Sequence, residues 1–120
     1  MAIRESGEMY LETILILSKD LPAVRSIDVA REMNFSKPSV SNAMKHLKSE
    51  GYLTIDENGS ILLTKQGKAL AEKIYERHTL LTKMFVNLGV EESVASEDAC
   101  RIEHVISDTT FAAIKAHLSK

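Results

Sequence analysis

Cys100, Glu103 and His104 stand at i, i+3 and i+4 in a stretch with helical periodicity. One face of such a helix presents a thiol, a carboxylate and an imidazole together, and all three are good ligands for a transition metal. The spacing alone leaves a plainer alternative open. A lone cysteine behaves as a small buried hydrophobe, and Glu103 and His104 could be surface residues. A second set of residues suits a different partner. Ser36-Lys37-Pro38-Ser39-Val40-Ser41-Asn42 opens a segment that continues to Lys45 and Lys48 with no acid before Glu50. Small hydroxyls, an amide and lysines near a helix N-terminus can bond phosphate oxygens or base edges in a DNA major groove. Solvated residues of a capped helix would look the same one by one.

The elements that must position these residues are legible from period and punctuation. From Glu5 to Ser18 the apolar residues Met9, Leu11, Ile14, Leu15 and Leu17 fit a helix. Leu21-Pro22 ends it, since proline disfavours helix in the residue before it. Ser26 is expected to cap a short helix, Ile27 to Met33, with Val29, Ala30 and Met33 facing inward. Asn34-Phe35 makes a turn, Ser36 caps the next helix, and Pro38 falls in its first turn. Val40, Ala43, Met44 and Leu47 give that helix its inner face, which leaves Lys37, Ser39, Ser41, Asn42 and Lys45 outward; Gly51 stops it. The period then changes. Tyr52–Ile55 and Ile61–Leu63 read as strands around Asp56-Glu57-Asn58-Gly59-Ser60, whose Asn-Gly pair signals a hairpin. The hairpin is expected to touch DNA backbone at most. Thr64 caps a long helix to about Asn87, with Leu70, Ile74, His78, Leu81 and Phe85 along one side. Glu91 to Ile106 reads as a further helix, and Ser107 with Asp108 caps a last one toward Leu118.

The fold class expected is therefore mainly α with a small β-hairpin wing: a winged helix-turn-helix over residues 1–64, then a helical region over 65–120. Composition agrees. The 120 residues are 44% apolar and only 5% aromatic, without tryptophan, so the core must be aliphatic. Net charge is −2, but residues 36–49 carry Lys37, Lys45 and Lys48 with no acid, whereas 91–108 carry six acids against Arg101 alone. The first patch could meet phosphate and the second cations. No run of about 18 apolar residues predicts a membrane span, the opening residues lack a signal peptide's apolar stretch, and one cysteine fits a reducing compartment. A cytoplasmic location is expected.

Ala99-Cys100-Arg101-Ile102-Glu103-His104-Val105-Ile106-Ser107-Asp108 resembles the metal-binding helix of the diphtheria toxin repressor family, which includes iron-dependent regulators and manganese transport regulators. Glu8-Met9-Tyr10-Leu11-Glu12-Thr13-Ile14 resembles its first helix, and Tyr75-Glu76-Arg77-His78 with Leu80-Leu81 its long connecting helix. The resemblance spans nearly the whole chain. It implies a metal-dependent repressor that binds a double-stranded DNA operator as a homodimer, with a regulatory site on Met9, Cys100, Glu103 and His104. A second ion on Glu12 and His78, sharing a Glu103 oxygen, is one alternative; a His78 merely bonded to Glu12 is the other. The ancillary site of longer relatives needs a carboxylate and a histidine where this chain has Thr82 and Ser96, so it cannot form in its usual way. The chain stops at Lys120, so an SH3-like third domain is expected to be missing. Ser26 joins Ser36, Lys37, Pro38, Ser39, Ser41, Asn42 and Lys45 as an expected DNA contact.

Thioether and thiolate favour iron(II), cobalt or nickel over manganese, so iron(II) is the expected metal. Glu12 and the short chain point to manganese, the alternative. A metal joining the first helix to the distant one would narrow the spacing of two DNA-reading heads toward about 34 Å and so raise DNA affinity by linkage. Leu81, Met84, Phe85, Leu88 and Ile102 could form the dimer interface, or simply core. Two other classes compete: a metal-independent winged-helix regulator with Cys100 as redox sensor, and an enzyme with Cys100 as nucleophile and His104 as base. The second lacks an orienting group and oxyanion donors.

Overall fold

The computed structural model describes residues 5–119; the opening Met1–Arg4, on which the leader argument partly rests, and Lys120 lie outside them. Among the described residues six helices and one hairpin follow in the order α1 (Glu5–Asp20), α2 (Ser26–Met33), α3 (Lys37–Ser49), β1 (Leu53–Ile55), β2 (Ile61–Leu63), α4 (Lys65–Asn87), α5 (Glu92–Ile102) and α6 (Asp108–Leu118). The chain divides into two compact units, Met1–Glu72 and Lys73–Lys120. The mainly α, winged helix-turn-helix architecture expected from the sequence is present.

In the first unit Leu11 and Ile14 of α1, Val29 of α2, Val40 and Met44 of α3 and Leu53 of β1 are almost wholly buried in one cluster. It is aliphatic, as the composition requires, with Tyr10 packed edge-on against Phe35 at 6.0 Å. One cap differs from expectation. Arg25, not Ser26, is the N-cap of α2, because the Asp28 carboxylate accepts the Arg25 N–H at 2.9 Å. That is the back-reaching half of a capping box, and it makes Ser26 the first helical residue. At α3 the expectation holds: Ser36 Oγ accepts the Ser39 N–H at 3.3 Å and Pro38 sits in the first turn.

Gly51 ends α3 with φ +86. Its N–H bonds Lys48 O while the Tyr52 N–H bonds Leu47 O, the paired bonds of a glycine-ended helix. The chain then enters an antiparallel hairpin in register Leu53↔Leu63, Thr54↔Leu62 and Ile55↔Ile61. At its tip Asp56 Oδ1 accepts the N–H groups of Asn58 and Ser60, both at 2.9 Å. The N–H of Ile61 reaches back to Val24 O at 2.7 Å, tying the wing to the loop before α2. Thr64 caps α4 by accepting the Gly67 N–H at 3.1 Å and donates its hydroxyl to Gly51 O at 2.7 Å. Gly67 is required by a close approach: a Cβ there would stand 1.8 Å from Tyr52 O.

In the second unit Ile74, Leu81, Ala95, Ala99 and Phe111 are buried. Leu81 therefore belongs to this chain's own core, whereas Leu88 is 74% exposed and remains a surface residue. The expected helix Glu91–Ile106 is shorter. α5 ends at Ile102, and residues 103–107 form a turn before Ser107 caps α6 by accepting the Thr110 N–H at 3.1 Å. The reason lies outside the segment. Arg77 of α4 donates Nη1 to Glu103 O at 3.0 Å and to Ile106 O at 2.8 Å, and its Nη2 bonds the Asp108 carboxylate. Carbonyls that a continuing helix would have used are held by a guanidinium instead.

Gly67→Ala forces either the α4 N-terminus or the wing base to move. Overpacking of this kind costs roughly 1–3 kcal/mol, and urea unfolding should show at least that loss. An unchanged midpoint would mean that the Tyr52 carbonyl does not pack against Gly67.

Candidate functional site

The second unit gathers two of the expected ligands, His78 and His104, around the carboxylate of a third, Glu103. Glu103 follows the last turn of α5 in αR conformation and is 0% exposed. Its Oε2 lies 2.9 Å from His78 Nδ1, and its Oε1 lies 3.3 Å from His104 Nε2. The His104 side chain is fully buried and that of His78 is 28% exposed. A carboxylate removed from water needs positive charge or strong donors beside it. His78 Nδ1 is within hydrogen-bond reach of it, and the resulting oxygen and nitrogen set is one that divalent first-row metals accept. The donor chemistry fits a metal ion.

His78 Nε2 is also 3.3 Å from Ser96 Oγ, and the His78 carbonyl accepts the Thr82 hydroxyl at 2.7 Å. Ser96 and Thr82, which the sequence marks as missing ligands of an ancillary site, thus both contact His78 here. Cys100 is half-buried in the last turn of α5, three residues before Glu103. In the first unit Met9 and Glu12 are i and i+3 on α1 and share a face; Met9 is partly buried and Glu12 is 8% exposed. The single helical face expected for Cys100, Glu103 and His104 is corrected to a helix end followed by a turn.

Sequence reasoning missed Arg77 and Asp108 as parts of this region. A signal existed. Arg77 falls between Ile74 and Leu81 on the inner side of α4, and a charged residue on a buried stripe demands a partner. Asp108 receives both Arg77 and Lys73, the latter at 3.0 Å. Chiefly Lys73, by hydrogen bond and charge, and then Arg77 hold its carboxyl below the ordinary aspartate value.

The reading helix of the first unit has the surface expected of it. Ser36, Lys37, Pro38, Ser39, Ser41, Asn42 and Lys45 are all exposed, while Val40, Met44 and Leu47 are buried. Ser36 and Ser39 bond each other through their hydroxyls at 2.8 Å, so the cap occupies part of both. Ser26 is partly buried at the start of α2. The wing differs in sign: Asp56 and Glu57 are exposed at its tip, and no lysine or arginine lies between Lys48 and Lys65.

Two family descriptions match the chain in succession. Residues 3–60 match "Iron dependent repressor, N-terminal DNA binding domain" and residues 64–120 match "Iron dependent repressor, metal binding and dimerisation domain". A Methanocaldococcus jannaschii protein named as an HTH-type transcriptional regulator is 32% identical over 97% of this chain and 94% of its own length. The chain belongs to the iron-dependent repressor family. Transcriptional regulator MntR of Escherichia coli O157:H7 is 30% identical over 98% of this chain and 76% of its own. The solved structure of the manganese regulator SloR superposes with a TM-score of 0.84 at 30% identity, over 99% of this chain and 55% of that one. As a member, this chain carries a DNA-binding domain followed by a metal-binding and dimerisation domain. No helix among the described residues is long and apolar enough to cross a membrane.

Two outcomes follow from the charges. The stability that Asp108 contributes through its lowered pKa is present above the ordinary value of 3.8 and is lost as pH falls through the lower folded value. Asp108→Asn should therefore be less stable than the natural chain at neutral pH in urea unfolding, with the gap closing in acid; a pH-independent gap contradicts the ion pairs. Glu57→Lys removes an acid from the wing tip, so it should tighten non-specific DNA binding and steepen its salt dependence by about one phosphate equivalent. An unchanged slope would mean the tip stands clear of the duplex.

Proposed function

We propose that this chain is a metal-dependent transcriptional repressor whose DNA-binding head, residues 1–64, is controlled by a divalent ion held by residues 65–120 and α1. Support rests on one observation above the others: a fully buried Glu103 carboxylate between the imidazoles of His78 and His104, inside the domain matched as metal-binding. Glu103 and His104 would hold the ion together with Cys100 and Met9, and Glu12 with His78 would hold a second ion beside Glu103. A bound cation would place positive charge beside the buried Glu103 carboxylate.

The chain's own residues then do the work of coupling. Ligands drawn from α1 and from the α5–α6 turn make the head's placement depend on occupancy, and two heads in a homodimer must match half-sites about 34 Å apart. Ser39, Ser41 and Asn42 face base edges, Lys37 and Lys45 face phosphates, and Ser36 with Pro38 shapes the helix start. Iron(II) is the proposed effector because Cys100 and Met9 are sulfur donors. Manganese is the second reading: the three side chains gathered in the second unit offer only oxygen and nitrogen, which manganese prefers.

Selection of duplexes from a random pool, followed by fluorescence anisotropy, tests this. Anaerobic iron(II) or manganese(II) should tighten binding of the natural chain by about 5–150-fold over chelator, and His104→Ala should abolish the difference. Equal affinity with and without metal removes the switch. On the selected duplex Asn42→Ala should lose specificity, whereas Lys45→Ala should mainly reduce the salt slope.

A further inference from the structure

We propose that Arg77 is a positioning residue for metal binding: its guanidinium fixes the main chain of the turn that carries Glu103 and His104, and so sets their side chains for coordination. The inference rests on the metal-binding reading above. Arg77 is adjacent to His78 on α4, and its side chain is only 6% exposed. Nη1 donates to the carbonyls of Glu103 and Ile106, which bracket His104 in the chain. Nη2 donates to Asp108 Oδ1, the same oxygen that Lys73 bonds, and the guanidinium carbon lies 5.5 Å from the Phe111 ring centroid.

This is more machinery than stopping a helix requires. At Gly51 the same chain ends α3 with a glycine and two backbone bonds. At the end of α5 there is no glycine, and a buried charge takes the carbonyls instead, although its Nε gains no hydrogen bond. Burying a guanidinium is costly, and a buried N–H without a partner adds to the cost. What the arrangement achieves is rigidity at two points, with His104 between them, and a planar fork is suited to hold several acceptors at once. Arg77 touches neither the Glu103 carboxylate nor the His104 ring in any bond described, so its effect on the donors runs through the backbone. Residues behind metal ligands commonly set affinity by 10–100-fold without binding the metal.

The experiment uses cobalt(II), whose absorption bands report ligand geometry, titrated into the natural chain, Arg77→Lys and Asp108→Asn, with circular dichroism and apo-protein melting as controls. Lysine keeps the charge but not the fork. Arg77→Lys should fold, bind cobalt about 10–100-fold more weakly and show shifted bands. Asp108→Asn, at an exposed carboxylate, leaves the carbonyl contacts in place and should weaken binding less, with the same direction of band shift. Natural affinity and spectrum in a folded Arg77→Lys overturn the inference; should that variant not fold, natural affinity and spectrum in Asp108→Asn do so. If the natural chain itself takes up no cobalt, the metal-binding reading falls, and this inference with it.

Discussion

Burial of the Glu103 carboxylate governs the second unit. Moving an ion of this kind out of water costs several kcal/mol even after relaxation, so its surroundings have to return that energy through charge and hydrogen bonds. Imidazoles from α4 and from the following residue stand against its two oxygens. Small residues, Ala95 and Ala99, are the buried members of α5, which lets that helix approach its neighbours closely. The cluster has the oxygen and nitrogen donor types that a divalent cation seeks, and a cation would in turn offset the charge of the buried carboxylate.

The first unit solves an electrostatic problem of another kind. A chain of net charge −2 must approach a polyanion. It does so by segregation. α3 holds lysines and no acids, and its N-terminus adds the positive end of a helix dipole, while the wing tip carries Asp56 and Glu57. Asp56 is accounted for by the two N–H groups it accepts within the turn. Glu57 has no such local duty, and its charge opposes the approach of phosphate.

Much of this was legible locally. Helix ends follow from short-range chemistry, so Pro22, Ser36, Gly51, Thr64 and Ser107 mark boundaries that the fold respects. The hairpin follows from Asn-Gly between apolar runs, and the order of elements already identified a winged helix-turn-helix. Errors arose where one local signal competed with another or with a distant residue. Ser26 is a good cap by type, yet Asp28 reaching back to Arg25 moved the boundary by one residue. α5 looked four residues longer because Glu103–Ile106 has helical periodicity, and nothing within that stretch announces the guanidinium of Arg77, 26 positions away from Glu103 in hydrogen-bond separation.

Residue types and spacings, by themselves, determined the elements, the aliphatic core, the polar surface of α3 and the set of possible metal ligands, because each depends on neighbours within a few positions. Only the tertiary structure decided which ligands meet. It brought His78 against Glu103, turned His104 toward the same carboxylate, placed Leu81 in the core and left Leu88 outside. It also gave Arg77 its task. Those outcomes depend on how α4, α5 and α6 pack, and packing is a sum over contacts between residues far apart in the chain, which no local pattern encodes.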